Sequence, residues 1–80
     1  MEIKYSKQSV KAINRMDSAR KRLIKEAIER LPKGDTKQIK SSAITVYRLR
    51  VGGWRVLYSM DADTIYVEKI VPRGDFYKGV

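Results

Sequence analysis

Apolar and polar residues alternate along two adjoining runs, Ile44-Thr45-Val46-Tyr47-Arg48-Leu49-Arg50-Val51 and Trp54-Arg55-Val56-Leu57-Tyr58. Alternation with period two predicts strands. The Gly52-Gly53 pair between them predicts a two-residue hairpin turn, because both residues tolerate positive φ. Such a turn sets the register: Val51 faces Trp54, Arg50 faces Arg55, Leu49 faces Val56, Arg48 faces Leu57 and Tyr47 faces Tyr58. Tyr47, Leu49, Val51, Trp54, Val56 and Tyr58 then share one face, which is read as core. Arg48, Arg50 and Arg55 share the other. Like charges directly opposite one another are destabilising, so Arg50 against Arg55 is a cost that folding alone does not explain. It implies an anionic ligand.

The remaining pattern predicts a small α+β domain. Glu2-Ile3-Lys4-Tyr5-Ser6 alternates as a short strand. Val10, Ala12, Ile13 and Met16 fall at near-helical spacing, predicting a helix over 7–15. Asp17-Ser18 offers a cap for a second helix over 18–31, where Ala19, Leu23, Ile24, Ala27, Ile28 and Leu31 form an apolar stripe. Lys21, Arg22, Lys25, Glu26, Glu29 and Arg30 take its solvated side. Pro32-Lys33-Gly34-Asp35 ends that helix, and 36–43 is read as a basic loop. A last strand runs from Thr64 to Val71. With an even turn at Asp61–Asp63, Ile65 and Val67 join the core face and Glu68 lands beside Arg55. Pro72-Arg73-Gly74-Asp75 is a turn signal, after which Phe76-Tyr77 returns toward the sheet. The predicted order is β-α-α-β-β-β. Two helices lie on one face of a mainly antiparallel, about four-stranded sheet, and residues 1–80 form one domain.

Charge sharpens this picture. Lysine and arginine outnumber the acids 18 to 9, for a net charge of +9. The 44–60 hairpin carries Arg48, Arg50 and Arg55 and no acid, a field that favours phosphate backbones. Absence of cysteine and histidine excludes disulfides, the usual zinc sites, thiol nucleophiles and histidine acid–base pairs. Asp61 and Asp63 are read as turn formers rather than metal ligands, and no metal or cofactor is expected. Met1-Glu2-Ile3-Lys4 lacks the apolar run of a signal peptide, and no stretch approaches the roughly 18 apolar residues of a membrane span. The expectation is a cytoplasmic protein without a membrane partner.

Tyr47-Arg48-Leu49-Arg50-Val51-Gly52-Gly53-Trp54-Arg55-Val56-Leu57-Tyr58, followed by Ile70-Val71-Pro72-Arg73-Gly74-Asp75-Phe76-Tyr77-Lys78, closely resembles the RelE branch of the RelE/ParE toxin superfamily. The predicted strand and two helices before these motifs agree in order and length with the rest of that small fold. The resemblance implies a type II toxin neutralised by a co-produced antitoxin. The RelE branch typically cuts mRNA in the ribosomal A site without metal, inhibiting translation. Attack of the substrate 2′-hydroxyl on the adjacent phosphate leaves a cyclic phosphate and a free 5′-hydroxyl. By motif match, Arg48, Arg50, Arg55, Arg73 and Tyr77 occupy the positions that carry phosphate contacts and catalysis in that branch.

Such chemistry needs charge neutralisation at phosphorus, a base for the 2′ proton and an acid for the leaving oxygen. Arginine forks suit the first role because they pair bidentately with phosphate and stay charged. Arg73 is expected to grip the scissile phosphate, and Arg48, Arg50 and Arg55 to supply the rest of the anionic site, Arg55 as a catalytic residue and Arg48 and Arg50 as substrate-binding ones. Candidates for the base are Tyr77, a lysine or Glu68. Tyr77 is expected to titrate early among arginines, or to stack on a base. Some relatives carry lysines at the positions of Arg48 and Arg50, and arginine is a poor proton acceptor.

The implied partners are an acidic antitoxin segment that folds on binding, mRNA and ribosomal RNA. Operator DNA is reached through the toxin–antitoxin complex. A ParE-type gyrase-binding toxin, or a decayed toxin retained as an antitoxin-binding module, would share the fold.

Overall fold

The computed structural model describes residues 2–31, 33–39 and 45–72. Arg73, Tyr77 and most of the predicted Pro72–Asp75 turn lie outside the described residues. The elements are β1 (Glu2–Tyr5), α1 (Lys7–Asn14), α2 (Ser18–Glu29), β2 (Thr36–Ile39), β3 (Val46–Val51), β4 (Trp54–Met60) and β5 (Thr64–Pro72). They build a five-stranded sheet in the order β1-β5-β4-β3-β2. The α+β class is as expected, with one strand more than the sequence pattern announced.

That extra strand is β2, within the segment read as a basic loop. It pairs antiparallel with β3, Thr36 opposite Leu49, Lys37 opposite Arg48, Gln38 opposite Tyr47 and Ile39 opposite Val46. Thr-Lys-Gln-Ile shows no alternation of its own. It is extended because β3 offers it a ladder of hydrogen bonds, so tertiary pairing sets its conformation rather than local propensity.

Side-chain caps start both helices. Ser6 Oγ accepts from Ser9 N at 3.1 Å, and Asp17 Oδ1 accepts from Arg20 N at 2.8 Å. In α1 the buried positions are Ser9 and Ile13, whereas Val10, expected on the apolar stripe, faces solvent. Burial of Ser9 is tolerated because its Oγ lies 2.9 Å from Ser6 O and 3.3 Å from Val67 O. The stripe of α2 is narrower than expected too. Ile24, Ile28 and Leu31 are buried, Ala27 is half-buried, and Leu23 is 51% exposed.

Both helices lie on one side of the sheet, against Leu49, Val51, Val56, Tyr58, Ile65, Val67 and Ile70. The Gly52-Gly53 hairpin has the expected register, from Val51 opposite Trp54 to Tyr47 opposite Tyr58, and Gly52 takes φ +58°. Tyr47 and Tyr58 stack with centroids 5.4 Å apart. Burial foremost raises the Tyr58 hydroxyl above its ordinary pKa, and the Thr36 hydrogen bond opposes the shift.

The β4–β5 pairing contains a shift that corrects one expectation. Leu57 faces Lys69 but Tyr58 faces Val67, which leaves Glu68 as an extra residue in β5. Ile65 and Val67 join the core as expected. Arg55 faces Val71 rather than Glu68, and the Glu68 carboxylate accepts from Ser59 Oγ at 3.3 Å. The chain reaches β5 through a turn built on Asp61, whose Oδ1 accepts from Asp63 N at 3.1 Å and Thr64 N at 2.9 Å.

Two outcomes follow from this packing. Ile24→Ala should destabilise the domain by about 2–5 kcal/mol, whereas Leu23→Ala, one residue away but exposed, should stay near 0.5 kcal/mol; urea unfolding followed by circular dichroism measures both. The backbone donors of Asp63 and Thr64 hold the Asp61 carboxyl below its ordinary pKa. A group so depressed stabilises the fold above its unfolded pKa and ceases to as pH falls through the folded one. The melting-temperature deficit of Asp61→Ala should therefore shrink from neutral to strongly acidic pH.

Candidate nucleic-acid interface

Strand parity determines what the sheet presents on the face opposite the helices. Residues paired across strands share a face, so Lys37, Arg48, Leu57 and Lys69 form one row across β2, β3, β4 and β5. Arg50, Arg55 and Val71 form the next. On β1, Glu2 and Lys4 continue the face beside Thr64 and Tyr66. The helices pack on the opposite side, and among the described residues this one gathers the lysines and arginines of β2 to β5.

Sequence reasoning found Arg48, Arg50 and Arg55 and missed Lys37 and Lys69. Lys37 was hidden because its strand has no alternation. Lys69 was hidden by the bulge, although a signal existed. The apolar parity runs through Ile65 and Val67 but resumes at Ile70, an offset of three that marks an inserted residue and turns Lys69 outward.

The arginines differ in environment. Arg55 is 5% exposed, and its Nη1 donates to Gly52 O at 3.0 Å and Trp54 O at 2.9 Å. Its guanidinium thus folds back over the hairpin turn that precedes it. Arg50 points outward, with a side chain 55% exposed, and pairs with Asp35. Arg48 is more covered, at 16%, with Nη1 3.9 Å from the other Asp35 oxygen.

The repulsion between Arg50 and Arg55 is therefore relieved within the fold. One charge is turned onto turn carbonyls, and the other meets an acid from outside the hairpin. Asp35 arrives there through two backbone constraints. Its carbonyl accepts from Arg50 N at 2.9 Å, and Gly34 before it takes φ +119°. A Cβ at Gly34 would also lie 3.3 Å from Leu49 Cδ1.

The face can hold an extended anion across β3 and β4, with lysines on the flanking strands β2 and β5. Such a surface neutralises consecutive phosphates without reading bases. Among the described residues, no helix is long and apolar enough to cross a membrane.

No family model and no curated protein matches the chain in sequence. Solved structures do. The chain is similar to one in the archaeal RelE–RelB complex from Pyrococcus horikoshii OT3, with a TM-score of 0.76 and 29% identity over 91% of this chain and 94% of that one. It is also similar to one in the RelB–RelE antitoxin–toxin complex from Methanococcus jannaschii, with a TM-score of 0.76 and 26% identity over 95% and 96%.

The contrast between the arginines is measurable. Arg55→Ala removes a buried charged donor and should lower stability by about 1.5–3 kcal/mol. Arg50→Ala breaks an exposed pair and should cost no more than about 1 kcal/mol. Equal losses in chemical unfolding would contradict the assignment of Arg55 to the turn.

Proposed function

The chain is RelE-like, its structure matching archaeal RelE over nearly the whole length, and from that premise we propose that it is the toxin of a type II toxin–antitoxin pair. In this reading it is a metal-free, ribosome-dependent endoribonuclease that inhibits translation by cutting mRNA. The observation that carries the reading is the cationic row of Lys37, Arg48 and Lys69, with Arg50 beside it, on the sheet face opposite the helices.

The step is an internal transesterification. The substrate 2′-oxygen forms a bond to phosphorus, and the bond from phosphorus to the 5′-oxygen breaks. The products are a 2′,3′-cyclic phosphate and a 5′-hydroxyl. The base, for which Tyr77 as phenolate, a lysine and Glu68 are the candidates, takes the 2′ proton, and its conjugate acid returns it to the departing oxygen. Arg73 grips the scissile phosphate, Arg48 and Arg50 hold the strand, and Arg55, held on the turn carbonyls, adds positive charge to the same face. Fixed guanidinium groups stabilise charge that develops on phosphorane oxygens, since they are oriented before the reaction begins. The ribosome supplies proximity by presenting the message in one orientation.

The partner in this reading is an antitoxin. The two similar archaeal proteins were each crystallised in a RelB–RelE complex. An acidic segment that folds on binding suits a chain of net charge +9, and operator DNA would be reached through that complex.

Primer extension on a defined message in a purified translation system tests the reading. Wild type should give ribosome-dependent cuts, and Arg73→Ala and Tyr77→Phe should each slow them about 100-fold. No cuts, with DNA supercoiling by gyrase blocked instead, would overturn it in favour of a ParE-type toxin.

A further inference from the structure

Asp35 is the one acid that the fold brings against the outward arginines of β3 among the described residues. Its Oδ2 accepts from Arg50 Nε, and its Oδ1 lies 3.9 Å from Arg48 Nη1. One carboxylate therefore sits between two guanidinium groups, as a phosphate oxygen pair would. Its place there is not incidental to sequence proximity. Gly34 turns the backbone with φ +119°, and the Arg50 N–H to Asp35 O bond extends the β2–β3 ladder by one residue. Asp35 is thus held opposite Arg50 by the main chain, whatever its side chain does.

We propose that Asp35 is a built-in counter-anion that occupies the phosphate position on Arg48 and Arg50 and must be displaced when RNA binds. The inference rests on the reading of this face as the RNA site.

Three features make displacement feasible. Arg50 is engaged through Nε, and its side chain is 55% exposed, so an incoming phosphate can meet the guanidinium before the carboxylate leaves. Asp35 is itself 45% exposed, so its released carboxylate regains water. Exposed pairs of this kind are weak, and a phosphodiester can match them. A single negative charge replaces another, so the two arginines are never left side by side on β3 without an anion.

The consequence is selectivity by concentration. Free RNA must compete with an anion that is always present, whereas a message held against the protein by the ribosome competes at a high effective concentration. Asp35 in this account lowers affinity for RNA that is not presented.

The test measures anisotropy of a fluorescent, 2′-O-methylated single-stranded oligoribonucleotide, which binds without being cut, across a series of salt concentrations. Asp35→Asn keeps the shape and the backbone bond but removes the charge. It should tighten binding about two- to fivefold at low salt while the slope of log K against log salt stays that of the wild type, because the same phosphates are neutralised once Asp35 has been displaced. Asp35→Glu, which keeps the anion, should bind as wild type and guards against loss of fold in the first variant. In an Arg48→Ala/Arg50→Ala background, Asp35→Asn should give no gain. Unchanged or weaker binding by Asp35→Asn overturns the inference, and so does an equal gain in that background, which would reflect net charge alone. Wild-type affinity in Arg48→Ala/Arg50→Ala would sink the RNA-site reading itself, and the inference with it.

Discussion

The register of the Gly52-Gly53 hairpin governs both surfaces of the molecule. Side chains on a strand alternate with a period of two, so a slip of one residue would exchange the faces. Leu49, Val51, Val56 and Tyr58 would then lose the helices, and Arg48, Arg50 and Arg55 would be driven into the core. The turn therefore specifies the hydrophobic interior and the cationic exterior with the same few bonds. In a domain of 80 residues with so small a core, that coupling leaves little room for an alternative pairing.

The outer strands extend this order in different ways. β2 adds Lys37 to the row begun by Arg48 and brings Asp35 to Arg50. β5 adds Lys69 only because the extra residue at Glu68 resets its parity. A cationic surface on one side of a sheet carries a repulsive cost, and the molecule meets it locally. Turn carbonyls take Arg55, and one carboxylate serves Arg48 and Arg50. Such a surface is stable when empty yet remains ready to exchange its internal anion for an external one.

Much of this was legible in the chain because it is local. Alternation around Gly52-Gly53 determined the register, and the Asp17 cap with the Ile24–Ile28–Leu31 stripe defined α2 and its buried side. What escaped depended on distant partners. Thr36–Ile39 is a strand only through β3, and no reading of its own residues finds it. The place of Glu68 required the bulge, and the pairing of Asp35 required β2. Ser9 rather than Val10 is buried in α1, its hydroxyl within reach of two carbonyls. The site residues found from the hairpin were those whose neighbours were set by the turn, whereas Lys37 was missed with its strand and Lys69 with the bulge that turns it outward.

A structure of the protein on a ribosome that carries an uncleavable, 2′-O-methylated message in its A site would address the central claim directly. The account predicts the message backbone lying across β2 to β5, a phosphate between Arg48 and Arg50, and the Asp35 carboxylate turned away from both. A message that contacts the helical side instead, or leaves the Asp35–Arg50 pair intact beneath unoccupied density, would contradict it.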